Sequence, residues 1–200
     1  MAELTKISEL HPTQLTIGMR EVERRAATVG ALPKKKQADY VEERSVPCVA
    51  GPKGQLYLID RHHMCRALLS AGLKEVRVEI RADARHLASD EFWVYMDLHN
   101  WVHPFDSKGV RQPIKSLSTG IGDLTDDPYR GLAGFLRRDK GFSKADMPFE
   151  EFIWADFLRR RVPQALLDKD YDTAQHKALE LAHSDEARHM PGWSKGKMTT

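Results

Sequence analysis

Cysteine is scarce in this chain: Cys48 and Cys65 are the only two among 200 residues. That is too few for a secreted disulfide scaffold or for a four-ligand zinc site, and no structural zinc is expected. Long hydrophobic runs are also missing, so nothing approaches the roughly 20 apolar residues that cross a bilayer. The opening Met1-Ala2-Glu3-Leu4 carries an acid and lacks the apolar core of a signal peptide, which makes a cytoplasmic protein the expectation. Charge of one sign is lacking as well. A net charge of +2 excludes a protein that coats nucleic acid along its whole surface. No period repeats and no segment is of low complexity.

What is present is an ordinary globular composition, 41% apolar and 30% charged. A chain of this length buries about 70% of its unfolded surface, enough for a core without metal or disulfide staples. The first ~115 residues alternate strand-like and helix-like patterns, typical of a compact α/β arrangement. Leu4 to Ile7 reads as a short strand, and Met19 to Val29 as a helix with Met19, Val22, Ala26 and Val29 on one stripe. Gly30 and Pro33 stop it, and Lys34-Lys35-Lys36 is expected in a loop. Val46 to Ala50 and Leu56 to Ile59 flank Gly51-Pro52-Lys53-Gly54 as a hairpin. A helix follows through Met64, Ala67, Leu68 and Ala71 with Gly72 at its end, then a strand over Val76 to Ile80 and a helix over Leu87 to Met96.

Beyond Gly109 β-branched runs almost vanish. Asp127-Pro128-Tyr129-Arg130 reads as a capped helix start with proline in the first turn. Phe149, Phe152, Ile153 and Phe157 form one apolar stripe, and Ala174, Ala178, Leu181 and Ala182 another. The expected organisation is an α/β core over 1–115, a helical extension packed on it over 116–192 and a loose tail over 193–200.

The stretch with most chemistry is Tyr57 to Leu68, a hydrophobic strand running straight into a helix past Asp60, Arg61, His62 and His63. The first turn of a helix offers unpaired N–H groups and partial positive charge, which suit phosphate. Two imidazoles there can donate hydrogen bonds or exchange protons near neutral pH. Asp60 can cap the helix, orient a histidine or hold a Mg²⁺ that accompanies a nucleotide. Arg66, one turn past His62, can face the same anion. A helix cap beside inert surface histidines explains the same residues without any function. A zinc site from His62, His63 and Cys65 is disfavoured because adjacent helical residues diverge by about 100°.

This stretch resembles the D-G-H-H-R type signature of the ParB/sulfiredoxin superfamily, and more closely the ParB-like nuclease proteins of about this length. Three further places share that resemblance: Pro12-Thr13-Gln14 with Gly18 to Val22, Asp126 to Arg130 with Leu132-Ala133-Gly134, and Trp154 to Phe157 followed by arginines. The resemblance implies a small mixed sheet with helices (α/β in the α+β sense) and a nucleotide-phosphate pocket where the signature strand meets its helix. Members bind CTP and DNA, repair an oxidised cysteine with ATP, phosphorylate free serine, or act as nucleases or ATPases. The pocket is therefore expected to take ATP, ADP or CTP with Mg²⁺.

The chain departs from the pattern at informative places. Arg61 stands where glycine is usual, and Met64 stands where arginine usually follows the second histidine. A sulfiredoxin-type cysteine would align with His62, so Cys65 is out of register. Gln14 sits nearest the catalytic glutamate of the serine kinases, and an amide cannot serve as a general base; Glu21 is the candidate substitute.

By resemblance, Asp60, His62 and His63 are the candidate catalytic residues, with Asp60 also the candidate Mg²⁺ ligand. Thr13, Gln14, Arg20, Arg61 and Arg66 are the candidates for phosphate contact. Glu21, Asp126, Tyr129 and Arg130 are candidates for the pocket wall, although a capped helix start accounts for the last three equally. Trp154 and Phe157 read as core. Arg137 to Lys144 and Arg159 to Arg161 are locally basic but suit a solvated helix face, and no helix-turn-helix pattern is present. The reading is a ParB-like enzyme of phosphoryl transfer or phosphate-ester hydrolysis, ATPase- or kinase-like, acting on an unidentified small molecule. The alternatives are a metal-dependent nuclease acting on DNA and a non-catalytic nucleotide- or DNA-binding switch.

Overall fold

In the computed structural model, residues 3–194 are described. The chain divides into two compact units: Met1–Asp106 with Val110–Asp126, and Ser107–Gly109 with Asp127–Thr200.

The first unit is an α+β unit built on a mixed sheet. Its strands are β1 (Glu3–Lys6), β2 (Leu10–Pro12), β4 (Val46–Ala50), β5 (Leu56–Leu58) and β6 (Glu75–Asp83), in the order β1-β6-β4-β5-β2. β4 and β5 form the expected hairpin, with Cys48 opposite Leu58, whereas β2 lies parallel to β5 with Pro12 opposite Leu58. The helices α1 (Met19–Gly30) and α3 (His62–Ser70) pack on one another and on the sheet. Leu58, Cys48, Val22, Cys65 and Leu68 are fully buried there. Burying each such large apolar side chain stabilises the unit by roughly 1.5–3 kcal/mol. α3 ends as its sequence foretells. Gly72 takes φ +82°, and the N–H groups of Gly72 and Leu73 return to Leu69 and Leu68, closing the last turn.

Several elements differ from the expectations. Lys34 to Lys36 is not a loop but the first turn of α2 (Lys34–Glu42). The buried Gln37 holds that helix in place by donating its side-chain amide to the carbonyl oxygens of Val29 and Gly30 at the end of α1. That docking is a tertiary interaction that a run of three lysines conceals. Residues 110–126 belong with the sheet unit because Thr125–Asp126, as β7, pairs in parallel with β3 (Thr16–Ile17). α4 (Ser89–Leu98) buries Phe92 and Met96 with Val49, Ala84 and Val102 in a second cluster of this unit.

The second unit is helical: α5 (Pro128–Arg138), α6 (Glu150–Arg159), α7 (Gln164–Lys169) and α8 (Tyr171–His183). Asp127 caps α5 by accepting from the N–H groups of Tyr129 and Arg130, as the Asp-Pro pair foretells. α6 buries Trp154, Ala155, Phe157 and Leu158, so its apolar face is rotated from the expected stripe and Ile153 is exposed. Trp154 and Phe157 are core, as read from sequence. Trp193, placed in the loose tail, instead packs on this core and donates its indole N–H to the Ser184 carbonyl. The rest of that tail, 195–200, lies outside the described residues. Among the described residues no helix is long and apolar enough to cross a membrane.

Candidate functional site

Strand β5 leaves the sheet at Leu58, and two residues later the chain turns sharply into α3. Arg61 makes that turn with φ +67°, the left-handed conformation that favours glycine. Here an arginine bears the strain. The Asp60 carboxylate accepts from the Arg61 N–H at 2.6 Å. Asp60 therefore does not cap α3 as expected, because its carboxylate is already engaged one residue short of the helix. Arg61, the N-cap residue of α3, makes no side-chain cap hydrogen bond to its first turn. α5 and α8 differ, being capped by Asp127 and Asp170.

Facing this turn is the loop from Thr13 to Gly18, which joins β2 to α1. Thr13 is buried; its hydroxyl donates to the Leu58 carbonyl at 2.6 Å and its N–H donates to Nε2 of His62 at 3.1 Å. The Gly18 N–H donates to Nε2 of His63 at 2.9 Å. Both imidazoles therefore accept at Nε2 and carry their proton on Nδ1 when neutral. The histidine pair fastens the loop to the signature helix and shapes the junction. Buried Gln14 donates its side-chain amide to the Thr16 carbonyl.

The remaining candidates are spread more widely. Arg20 is exposed in the first turn of α1, two residues past Gly18. Glu21 is held by Arg24 and Arg25 of its own helix at 2.8 and 3.3 Å. Arg66, expected at the anion, reaches along α3 to donate to the Ser70 hydroxyl, away from the helix start, because an i to i+4 partner on the same face captures it. Tyr129 and Arg130 are buried in the second unit, donating to the Val162 carbonyl and pairing with Glu151 respectively. Cys65 is buried among the apolar side chains of the core. Among the described residues no three His, Cys, Asp or Glu side chains gather as a metal site.

Asp126, a candidate for the pocket wall with Tyr129 and Arg130, lies instead at the start of α1. Its carboxylate accepts from the Met19 N–H at 2.8 Å and so occupies the start of α1 from 107 residues away. No local signal announces it, since the β3–β7 pairing that places it is a long-range contact. The basic clusters are largely engaged: Arg137 pairs with Glu150, Arg160 with Asp156 and Arg161 with Glu186. A concavity of about 280 Å³ lies elsewhere, lined by residues such as Thr5, Ala50, Val78 and Ile80 and by none of the candidates.

No curated protein matches the chain. The crystal structure of protein Atu1540 from Agrobacterium tumefaciens is 42% identical with a TM-score of 0.90, covering 98% of this chain and 100% of that one. Two crystal structures of the C-terminally truncated chromosome-partitioning protein ParB from Caulobacter crescentus are 13% identical, one complexed to the centromeric parS site and one with CTP-gamma-S. Their TM-scores are 0.32 and 0.34, and they cover 93% of this chain and 87% and 94% of their own. The ParB-like nuclease family model spans residues 4–160, taking in the Thr13–Gly18 loop, the Asp60–His63 turn and the Asp127 cap together. With that match, and with 42% identity to the Agrobacterium protein along almost its whole length, the chain belongs to the ParB-like nuclease family.

Proposed function

We propose that this ParB-like protein binds nucleotide phosphates at the turn from β5 into α3 and catalyses phosphoryl transfer or phosphate-ester hydrolysis. The observation that carries the reading is the start of α3, where the N-cap residue Arg61 supplies no side-chain cap and Asp60 directly precedes it. Such a turn stabilises anionic oxygens through several aligned N–H groups and the helix dipole. Arg61 adds a guanidinium directly before those groups, and Arg20 supplies a second cation close to Gly18. Phosphoryl transfer asks mainly for positioning and charge neutralisation, which these groups supply.

In this reading His62 and His63 are positioning residues, since their Nε2 atoms hold the facing loop. Asp60 fits a Mg²⁺ that arrives with the nucleotide, because this ion needs only one or two carboxylates beside the phosphates. When bound, the ion would neutralise charge on the phosphoryl oxygens. The ion pairs that engage Arg137, Arg160 and Arg161 support the nucleotide reading over a metal-dependent nuclease.

Calorimetric titration with ATP, ADP and CTP, each with and without Mg²⁺, tests the proposal together with phosphate release. At least one nucleotide should bind, and Asp60→Ala should abolish turnover while the protein stays folded. Absence of binding by all three nucleotides overturns the reading. Plasmid nicking that disappears in the Asp60 variant, without nucleotide turnover, would favour the nuclease instead.

A further inference from the structure

Helix α4 carries apolar residues on opposite faces. Phe92 and Met96 are fully buried in the sheet unit, whereas Val94 and Leu98, one turn apart on the other side, are 61% and 78% exposed. Among the described residues no large apolar side chain is more exposed than Leu98. A helix with apolar residues on two sides is ordinarily covered on both. The patch extends past the helix. Arg111 reaches back to the Asp97 carboxylate at 3.0 Å, which holds the neighbouring Val110, 53% exposed, near the helix end.

Charge along this face is polarised. The first turn of α4 holds the exposed acids Asp90 and Glu91, and the helix contains no lysine or arginine. Hydrogen-bond donors stand at the opposite end. The exposed His99 directly follows the last helical residue, and its ring stacks on Trp101 at 4.5 Å. Arg111 donates to both Asp97 oxygens through Nη2 alone, so its Nε and Nη1 remain as donors to a further carboxylate. An apolar centre with acids at one end and donors at the other is complementary to itself turned end for end. A second copy laid antiparallel sets Val94 of one helix against Leu98 of the other, and the acidic turn of each beside the donor-bearing end of the other. The helix dipoles also oppose favourably in that arrangement, whereas a parallel one sets acid on acid.

We propose that the outward face of α4 is the surface through which two copies of this chain associate, antiparallel about a two-fold axis. The helix has 10 residues and is therefore about 15 Å long. A contact of that length buries less than the roughly 800 Å² per partner of a standard interface, so the dimer is a weak one.

Sedimentation equilibrium of the full chain from about 1 µM to about 1 mM tests this over the range in which a small contact dissociates. The mass should rise with concentration from that of one chain toward twice that value. Leu98→Asp and Val94→Asp, both at positions open to solvent, should each weaken the dimer at least about tenfold, because a two-fold contact carries every change twice. Asp90→Lys should weaken it by about the same factor, by placing a cation on the donor-bearing end of the other helix. Leu4→Asp, at an exposed apolar position on β1, should leave it unchanged. A mass that stays at that of one chain throughout overturns the proposal. A dimer that survives both Leu98→Asp and Val94→Asp overturns it too, since the contact would then lie elsewhere. A dimer left equally tight by Asp90→Lys overturns the antiparallel arrangement. If the chain stays monomeric and a helical peptide of leucine and lysine binds it through Leu98, the face belongs to another protein and not to a second copy.

Discussion

The backbone N–H of Gly18 donates to Nε2 of His63 at 2.9 Å, joining positions 45 residues apart. His62 makes the matching bond to Thr13. Adjacent helical side chains diverge by about 100°. Both nevertheless reach one loop, because Thr13 and Gly18 stand at its two ends. The histidine pair is thus a clamp that fixes the loop against α3.

Removing the buried half of that clamp has a calculable cost. His62→Ala leaves the Thr13 N–H without its acceptor, which should lower stability by about 1–3 kcal/mol in urea unfolding. Gln at this position carries an oxygen at about the reach of Nε2, so His62→Gln should recover part of the loss. Equal stability of the Ala variant and the unmodified protein would show that the bond contributes nothing.

Arg61 offers a separation of stability from binding. Its φ of +67° strains any side-chain-bearing residue, and Arg61→Gly should relieve about 1 kcal/mol. The same change removes the guanidinium from the mouth of the phosphate turn. The variant should therefore melt at a higher temperature yet bind ATP more weakly, by thermal unfolding and calorimetry. A variant that melts higher and binds unchanged would remove Arg61 from the site.

These two sites also mark where sequence reading reached and where it stopped. Short-range signals were legible: the hairpin around Gly51–Gly54, the Gly72 ending of α3 and the Asp127 cap each depend on residues within a few positions. The strand-to-helix turn at Asp60–His63 was legible for the same reason. The roles of its histidines were not, because their partners Thr13 and Gly18 are brought there by the β2–β5 pairing and by α1 packing on α3. α2 hid behind three lysines since its anchor, Gln37, acts through the end of α1. Asp126 at the start of α1 also depends on a contact between residues 107 positions apart.

The two cysteines should be silent in the folded protein. Burial pushes the Cys48 thiol up to about 12 and raises that of Cys65 as well. At pH 8 neither should react quickly with a thiol reagent, and both should react once the chain is unfolded in denaturant. The sign of the linked stability follows. Because the folded state holds these protons more tightly, stability is intact below the ordinary thiol pKa near 9 and falls as pH rises from there toward 12. Rapid labelling of one thiol under native conditions would refute this placement.

In the helical unit the decisive charge is Asp127. It is 1% exposed, accepts from the N–H groups of Tyr129 and Arg130, and pairs with the Arg159 guanidinium at 2.7 Å. Burial pushes its carboxyl up, and Arg159 and the two N–H groups pull against that shift. Arg159 also pairs with Asp156 at 3.2 Å and donates to the Ser107 carbonyl, so it keeps partners when Asp127 is altered. Asp127→Ala deletes both the cap and the buried ion pair and should cost about 3 kcal/mol. Asp127→Asn keeps an oxygen for the cap and loses only the charge, so its cost should be smaller, about 1–2 kcal/mol. Chemical denaturation of both variants checks the order. If the two lose equal stability, the charge on Asp127 is the whole effect and the cap adds nothing.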